Sequence, residues 1–156
     1  MAMALDRPVA VDLTPAVKIE TDAALAEWVS VYCACFGVPA TAVADTLRVE
    51  TERTDAGPVV RFAATVDGRM VGTALLLTTH DVAGIYVVTT MPEYRRRGIG
   101  TALTAAALEI ARERGLRVGT LQASPLGEPV YRRMGFETVA EYRLYQFPKP
   151  SDTGSR

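Results

Sequence analysis

Apolar residues recur along the chain in two rhythms. Leu25, Trp28, Val29, Tyr32 and Phe36 share one face of a helix, with Thr21 or Asp22 as its cap and Gly37 as its stop. Pro39 opens a second helix in the first turn, where proline is tolerated; Val43 and Leu47 form its buried side, and it fades near Thr51. Ile99, Leu103, Ala106 and Ile110 repeat at helical spacing and predict a third. That helix stops cleanly: Arg112 and Arg114 lie in its last turn, Gly115 suits a left-handed cap, and apolar Leu116 follows. Shorter apolar or alternating runs predict strands at Val17–Ile19, Val59–Val66, Met70–Thr78, Ala83–Thr89, Val118–Ala123 and Thr138–Phe147. Asp67-Gly68 joins the second and third strands as a hairpin, and Asp55-Ala56-Gly57-Pro58 is a turn. Gly72, inside the third strand, marks a bulge or a close approach. Ser124 to Arg133 reads as a short helix closed by Gly135-Phe136.

The order is strand, two helices, three strands, helix, strand, helix, strand. It predicts an α/β (α+β) domain: one mixed sheet with helices on both faces. Residues 1–16 read as an N-terminal arm with a short strand near Val9 to Val11, residues 17–147 as a single domain, and residues 148–156 as a disordered tail. With 156 residues, 49% hydrophobic and 22% charged, the chain has enough material for one ordinary globular core. Its formal net charge of -1 argues against a nucleic-acid binder. No apolar run reaches membrane-spanning length, and the first residues lack a signal peptide's hydrophobic block, so a cytoplasmic protein is expected. Cys33 and Cys35 sit two apart on one helix and do not face each other, which suits neither a disulfide nor half a zinc site. With a single histidine, His80, no metal constellation can be assembled.

One stretch carries chemistry. Ile85 to Val88 is a buried-strand run; Met91-Pro92-Glu93-Tyr94 breaks it; Arg95 to Gly100 is a basic turn punctuated by glycine that opens the third helix. A helix N-terminus presents unpaired N–H groups and the positive end of the dipole. Gly98 and Gly100 lack the Cβ atoms that would hold a phosphate off the backbone, and three arginines add charged donors. The bland alternative is a solvated basic loop, but the glycines fall where close approach is needed. A dinucleotide fingerprint would want glycine where Leu103 stands, and a P-loop would want lysine after Gly100.

The arrangement Arg95-x-x-Gly98-x-Gly100 resembles instead the R-x-x-G-x-G pyrophosphate signature of the GNAT acyltransferase superfamily, whose members bind acetyl-coenzyme A. A second segment, Ser124-Pro125-Leu126-Gly127 through Tyr131 to Gly135-Phe136, resembles that superfamily's N-x-x-A-x-x-x-Y-x-x-x-G-F; Ser124 replaces the Asn and Gly127 the Ala. The resemblance covers residues 17–147 in element order. With Gly84-Ile85-Tyr86 before the turn and Leu121-Gln122-Ala123-Ser124 before Tyr131, it looks like a bacterial branch of unassigned substrate.

The resemblance implies a mostly antiparallel sheet that splays between its fourth and fifth strands. It implies acetyl-coenzyme A as acyl donor, held by Arg95, Arg96, Arg97, Gly98, Ile99, Gly100 and Thr101, by the backbone of Val87, Val88 and Thr89, and by Ser124 and Tyr131. The backbone N–H near Val88 would face the developing oxyanion, and Tyr131 would protonate the departing thiolate. Without that role, Tyr131 is a helix tyrosine packing on the sheet. The implied activity is N-acetyl transfer to an amine of a small molecule or of an exposed protein or peptide, with neither nucleic acid nor membrane as partner and homodimerisation left open. The alternatives are a non-catalytic acyl-coenzyme A sensor of the same fold and a nucleotide-binding regulatory domain. Trp28, Tyr32 and Phe36 could wall the acceptor groove, but core packing accounts better for their spacing. Some members carry a glutamate base early on the fourth strand; the matching position is Gly84, so no essential base is expected. A water relay touching Tyr86 or His80 would serve an amine of low pKa, such as an α-amino group at ~7.7–8.0 rather than a lysine at ~10.4.

Overall fold

The computed structural model describes residues 1–8, 17–21, 23–53, 59–143 and 145. Six strands, β1 (Ala2–Ala4), β2 (Val17–Glu20), β3 (Val59–Val66), β4 (Arg69–Thr79), β5 (Val82–Thr90) and β6 (Val118–Leu121), form one sheet in the order β1-β6-β5-β4-β3-β2. Helices α1 (Leu25–Phe36), α2 (Val43–Thr51), α3 (Ile99–Glu113) and α4 (Glu128–Arg133) complete it, with 3-10 turns at Ala40–Ala42 and Pro92–Tyr94. Every neighbouring pair is antiparallel except β5 and β6. That parallel pair needs a crossover, and α3 supplies it. The expected mixed, mostly antiparallel sheet with helices on both faces is therefore present.

Strand alternation sorts the core into two layers. On one face Phe62, Val71, Leu76 and Ile85 meet Ile99, Leu103 and Leu108 of α3, with Phe136 alongside. On the other, Trp28 and Val29 of α1 meet Ala63, Met70 and Leu75. The Trp28 indole N–H donates to the Phe62 carbonyl at 2.9 Å, which pins α1 to β3. Glu50 of α2 pairs with Arg61 of β3 at 2.6 Å, holding the second helix to the same strand. The buried side of α3 is broader than its predicted stripe. Ala102, Ala107, Leu108 and Ala111 are buried, whereas Ala106 and Ile110 are half-buried, because small residues let the helix lie close to the sheet. Gly72 is a point of close approach. A Cβ there would sit 2.8 Å from the Thr89 carbonyl oxygen, 3.1 Å from Ile99 Cγ2 and 3.2 Å from Leu103 Cδ1. The stop predicted for α3 is a Schellman motif: Gly115 has φ of 77°, and Leu116 N–H donates to Ala111 O at 3.0 Å.

Three expectations are corrected. The first helix is capped by Ala24 without a side-chain bond; Thr21 lies outside it, and Asp22 falls outside the described residues. The arm contributes an edge strand at Ala2–Ala4, tied by Met1 N donating to Leu121 O at 2.8 Å, while Val9 to Val11 fall outside the described residues. An alanine-rich triplet carries little β signal, and its strand exists because β6 offers it a free edge. Residues 138–143, read as the start of a last strand, join no ladder; only Glu137 bridges, to Ala2. Val139 and Tyr142 stay exposed. The turn at Asp55–Pro58 and the tail at 148–156 fall outside the described residues. Among those described, no helix is long and apolar enough to cross a membrane.

Candidate active site

The sheet opens where its two parallel strands part. Pairing of β5 with β6 runs from Val82↔Val118 to Ile85↔Leu121 and stops there. Beyond it, Tyr86 to Thr90 continue along β4 while the chain after Leu121 turns away toward α4. With β1 counted, these are strands five and six, and they are the pair expected to splay. A cleft of about 630 Å³ occupies the gap. A wider hollow of about 960 Å³ lies between β1 and α4 but meets neither Val88 nor Tyr131, so the smaller cleft is the one that joins the candidate groups.

β5 carries a bulge at the mouth of the cleft. Thr73 of β4 pairs with Thr89, yet Leu75 pairs with Tyr86, so β5 has one residue too many across this step. Val87 absorbs it with φ of 54°, an outlier for a β-branched residue. Val88, Thr89 and Thr90 line the cleft from this strand. Val87 does not line it, and the Thr89 side chain is buried at 7% exposure, turned into the sheet.

The anion turn closes one end. Gly98 caps α3 with φ of 77°, and Ala102 N–H is the first to find an intrahelical carbonyl, Gly98 O at 2.9 Å. The preceding N–H groups of Ile99, Gly100 and Thr101 have no acceptor within the helix, and the first turn holds no acidic residue. Gly100 faces the strand: a Cβ there would lie 3.8 Å from Val88 Cγ1 and 3.9 Å from Thr90 Oγ1. Of the arginines, Arg95 and Arg96 line the cleft. Arg95 Nε donates to Thr90 O at 3.2 Å, and Arg96 sits at φ of 64°. Arg97 turns aside, donating to Glu93 O at 3.1 Å and stacking on Tyr94 at 5.2 Å. A run of three like residues cannot say which one a 3-10 turn will point inward.

Tyr131 closes the other side. Its ring stands edge-on to Phe136 at 5.9 Å and packs so close to Gly127 that a Cβ there would meet Tyr131 Cε2 at 3.0 Å. With no Cβ at Gly127, the ring lies directly against the backbone there. Burial pushes the phenol above its ordinary pKa, and a hydrogen bond with the Thr104 side chain works in the opposite direction. Ser124 shapes the approach: its Oγ accepts from Gly127 N at 3.2 Å, and it lines the cleft with Gly127 and Val130.

Other candidates fall elsewhere. His80 lies exposed in the β4–β5 turn. Its distance from Val88 along β5 is on the order of 20 Å at about 3.4 Å per residue, too far for a relay through one water. The Tyr86 ring folds over Gly84, its Cε2 2.6 Å from where a Cβ would stand, so the spot of the family's glutamate is filled by a phenol. Trp28 is core at 1% exposure, whereas Phe36 is 61% exposed and lines the cleft with Cys35. Helical spacing placed both aromatics on one stripe and could not tell which of them the sheet would cover. Tyr94 and Arg133 also line the cleft without any motif to announce them.

Comparison with known proteins bears on the family and the fold. The family model for the acetyltransferase (GNAT) family matches residues 25–136. An uncharacterized N-acetyltransferase from Methanocaldococcus jannaschii is 34% identical over 86 residues, 49% of this chain and 38% of the relative. A mycothiol acetyltransferase from Thermomonospora curvata is 33% identical over 97 residues, 60% of this chain and 33% of the relative. The chain thus spans a little over a third of the length of these curated relatives at most. A predicted acetyltransferase from Clostridium acetobutylicum, crystallised with acetyl-CoA, superposes with a TM-score of 0.66 at 21% identity, covering 83% of this chain and 96% of the other, which establishes the shared fold. The two sequence motifs, the parted strands between them and a family match running from α1 to the glycine-phenylalanine stop together place this chain in the acetyltransferase (GNAT) family.

Proposed function

We propose that the chain is an acetyl-coenzyme A-dependent N-acetyltransferase that passes the acetyl group directly to an amine of a small molecule or an exposed peptide. The observation that carries this reading is the cleft between β5 and β6. It brings an acid-free helix N-terminus, the Val88 peptide and the Tyr131 phenol to one opening. The residues present fit the donor. Gly98 and Gly100 clear the approach to the first-turn N–H groups of α3, and Arg95 and Arg96 add positive charge beside them. When bound, acetyl-coenzyme A supplies an activated thioester.

The chain's own groups then have defined tasks. Ile99, Gly100 and Thr101 hold the pyrophosphate through backbone N–H, and Ser124 borders the same cleft. The exposed edge of β5 from Val87 to Thr89 offers main-chain partners to the pantetheine arm, as an added strand would. The Val88 N–H donates to the carbonyl oxygen as negative charge gathers there. The amine nitrogen forms the new C–N bond, the C–S bond breaks, Tyr131 gives its proton to the sulfur, and the attacking nitrogen loses its own to solvent. No carboxylate stands at Gly84, so the acceptor is an amine already partly neutral. The acyltransferase unit spans residues 17–147, with β1 added to its sheet edge, and the free thiols Cys33 and Cys35 favour a reducing cytoplasm.

The test is thiol release on a panel of α-amines, aminosugars and lysine-like amines, beside thermal shift with acetyl-coenzyme A, coenzyme A, ATP and NAD. Stabilisation by coenzyme A with turnover on at least one amine is expected. Stabilisation by ATP or NAD alone would overturn the reading, and acetyl-coenzyme A binding with no thiol release on any amine would leave a sensor instead.

A further inference from the structure

The bulge in β5 is held by a side chain of its neighbour. Thr73 is fully buried at 0% exposure, and its hydroxyl lies 3.0 Å from the Val87 carbonyl oxygen and 2.9 Å from Thr89 Oγ1. A hydroxyl has one proton. Because a carbonyl can only accept, Thr73 must donate to Val87 O, and Thr89 must therefore donate to Thr73. The result is a directed chain, Thr89 O–H to Thr73 O–H to Val87 O=C. It satisfies a carbonyl that the bulge has displaced, since neither Val87 nor Val88 has a register partner on β4.

That carbonyl and the Val88 N–H belong to one peptide unit. No peptide bond among the described residues is cis, so the C=O and N–H of this unit point in opposite directions. A hydroxyl that draws Val87 O toward β4 aims Val88 N–H away from β4, on the side where β6 has parted. We propose that Thr73 is a positioning residue: its buried hydroxyl fixes the plane of the Val87–Val88 peptide and thereby the direction of the N–H that faces the reacting carbonyl. This inference rests on the acetyl-transfer reading above. The strain explains why a side chain is needed. Valine at φ of 54° is disfavoured, and a buried hydrogen bond offsets a twist that the ladder cannot hold.

The test compares Thr73→Val, which keeps the volume and loses the hydroxyl, with Thr73→Ser, which keeps the hydroxyl. Turnover is measured by thiol release on the best amine, and acetyl-coenzyme A affinity by calorimetry. Thr73→Val is expected to lower kcat by about 10- to 100-fold, as a misaimed oxyanion donor would, with affinity nearly unchanged. Thr73→Ser should restore most of the turnover. Wild-type kcat in folded Thr73→Val, or equal loss in both variants, overturns the proposal. Should Thr73→Val not fold, Thr73→Ala takes its place against Thr73→Ser under the same two criteria. If the wild-type protein turns over no amine, the acetyl-transfer reading has failed and the clasp is judged by amide hydrogen exchange. Faster exchange at Val88 in the variant lacking the hydroxyl, restored by serine, supports the clasp, and unchanged exchange overturns it.

Discussion

Removing one oxygen atom from Tyr131 separates catalysis from packing. Tyr131→Phe keeps the ring, with its edge-on contact to Phe136 at 5.9 Å and its seat against Gly127. What goes is the half-buried phenol hydroxyl alone, a change of about 1 kcal/mol in stability at most. The fold should survive. The chemistry should not. Free thiols ionise near ~8.5 and free tyrosine near ~10, so handing the proton to sulfur is uphill by ~1.5 pK units, about 2 kcal/mol. Burial raises the phenol further, which steepens this step and keeps the acid protonated throughout the neutral range. Loss of a positioned acid costs a factor of about 10² to 10⁴, or ~3–5 kcal/mol of barrier. We expect turnover to fall by at least about 10²-fold at neutral pH. Affinity for acetyl-coenzyme A should change little, because the phenol acts on the leaving sulfur rather than on the pyrophosphate. Steady-state thiol release across the neutral to mildly alkaline range, beside calorimetry, gives both quantities. Turnover close to wild type at every pH would make Tyr131 a packing residue and move the acid elsewhere.

Five further outcomes are expected. Gly100→Val should fold normally, since a Cβ there meets only ordinary contacts at 3.8 and 3.9 Å, yet lower coenzyme A affinity in calorimetry by filling the approach to α3. Gly98→Val should also lose about 1–2 kcal/mol in urea unfolding, because φ of 77° is strained for any residue with a Cβ; equal stability of the two variants would contradict this. Leu103→Ala, at 0% exposure between α3 and Gly72, should cost about 2–5 kcal/mol in the same assay. Tyr32 is pushed up to about 12, chiefly by burial, with Cys33 and Glu50 adding. The unfolded chain therefore releases this proton from about pH 10 while the native state keeps it, so stability is whole below pH 10 and declines toward 12; Tyr32→Phe should flatten that decline in a melting-temperature series. His80→Ala should leave the pH–rate profile unchanged, and loss of activity would show that the turn reaches the cleft in turnover.

The pieces legible in the chain are those whose cause is local. Asp67-Gly68 makes its hairpin and Gly115-Leu116 stops α3 because positive φ and a small cap are demands of one or two residues. Arg95-x-x-Gly98-x-Gly100 and the segment from Ser124 to Phe136 mark the cleft for the same reason: a helix N-terminus and a short turn carry their chemistry with them. Gly72 announced a close approach, though not its partners. What the chain alone left open depends on edges and layers. The free side of β6 is taken by Ala2–Ala4, a triplet whose side chains carry little strand signal and whose pairing depends on an edge that only the assembled sheet provides. The bulge at Val87 has no signature in a run of valines and threonines, since it arises from the register of β4 against β5. Thr73 and Thr89 read as ordinary strand residues until that register sets their hydroxyls 2.9 Å apart. Phe36 and Trp28 share one helical stripe, yet one ends in the cleft and the other in the core, because what each meets is set by the layer packed against α1 and not by helical spacing.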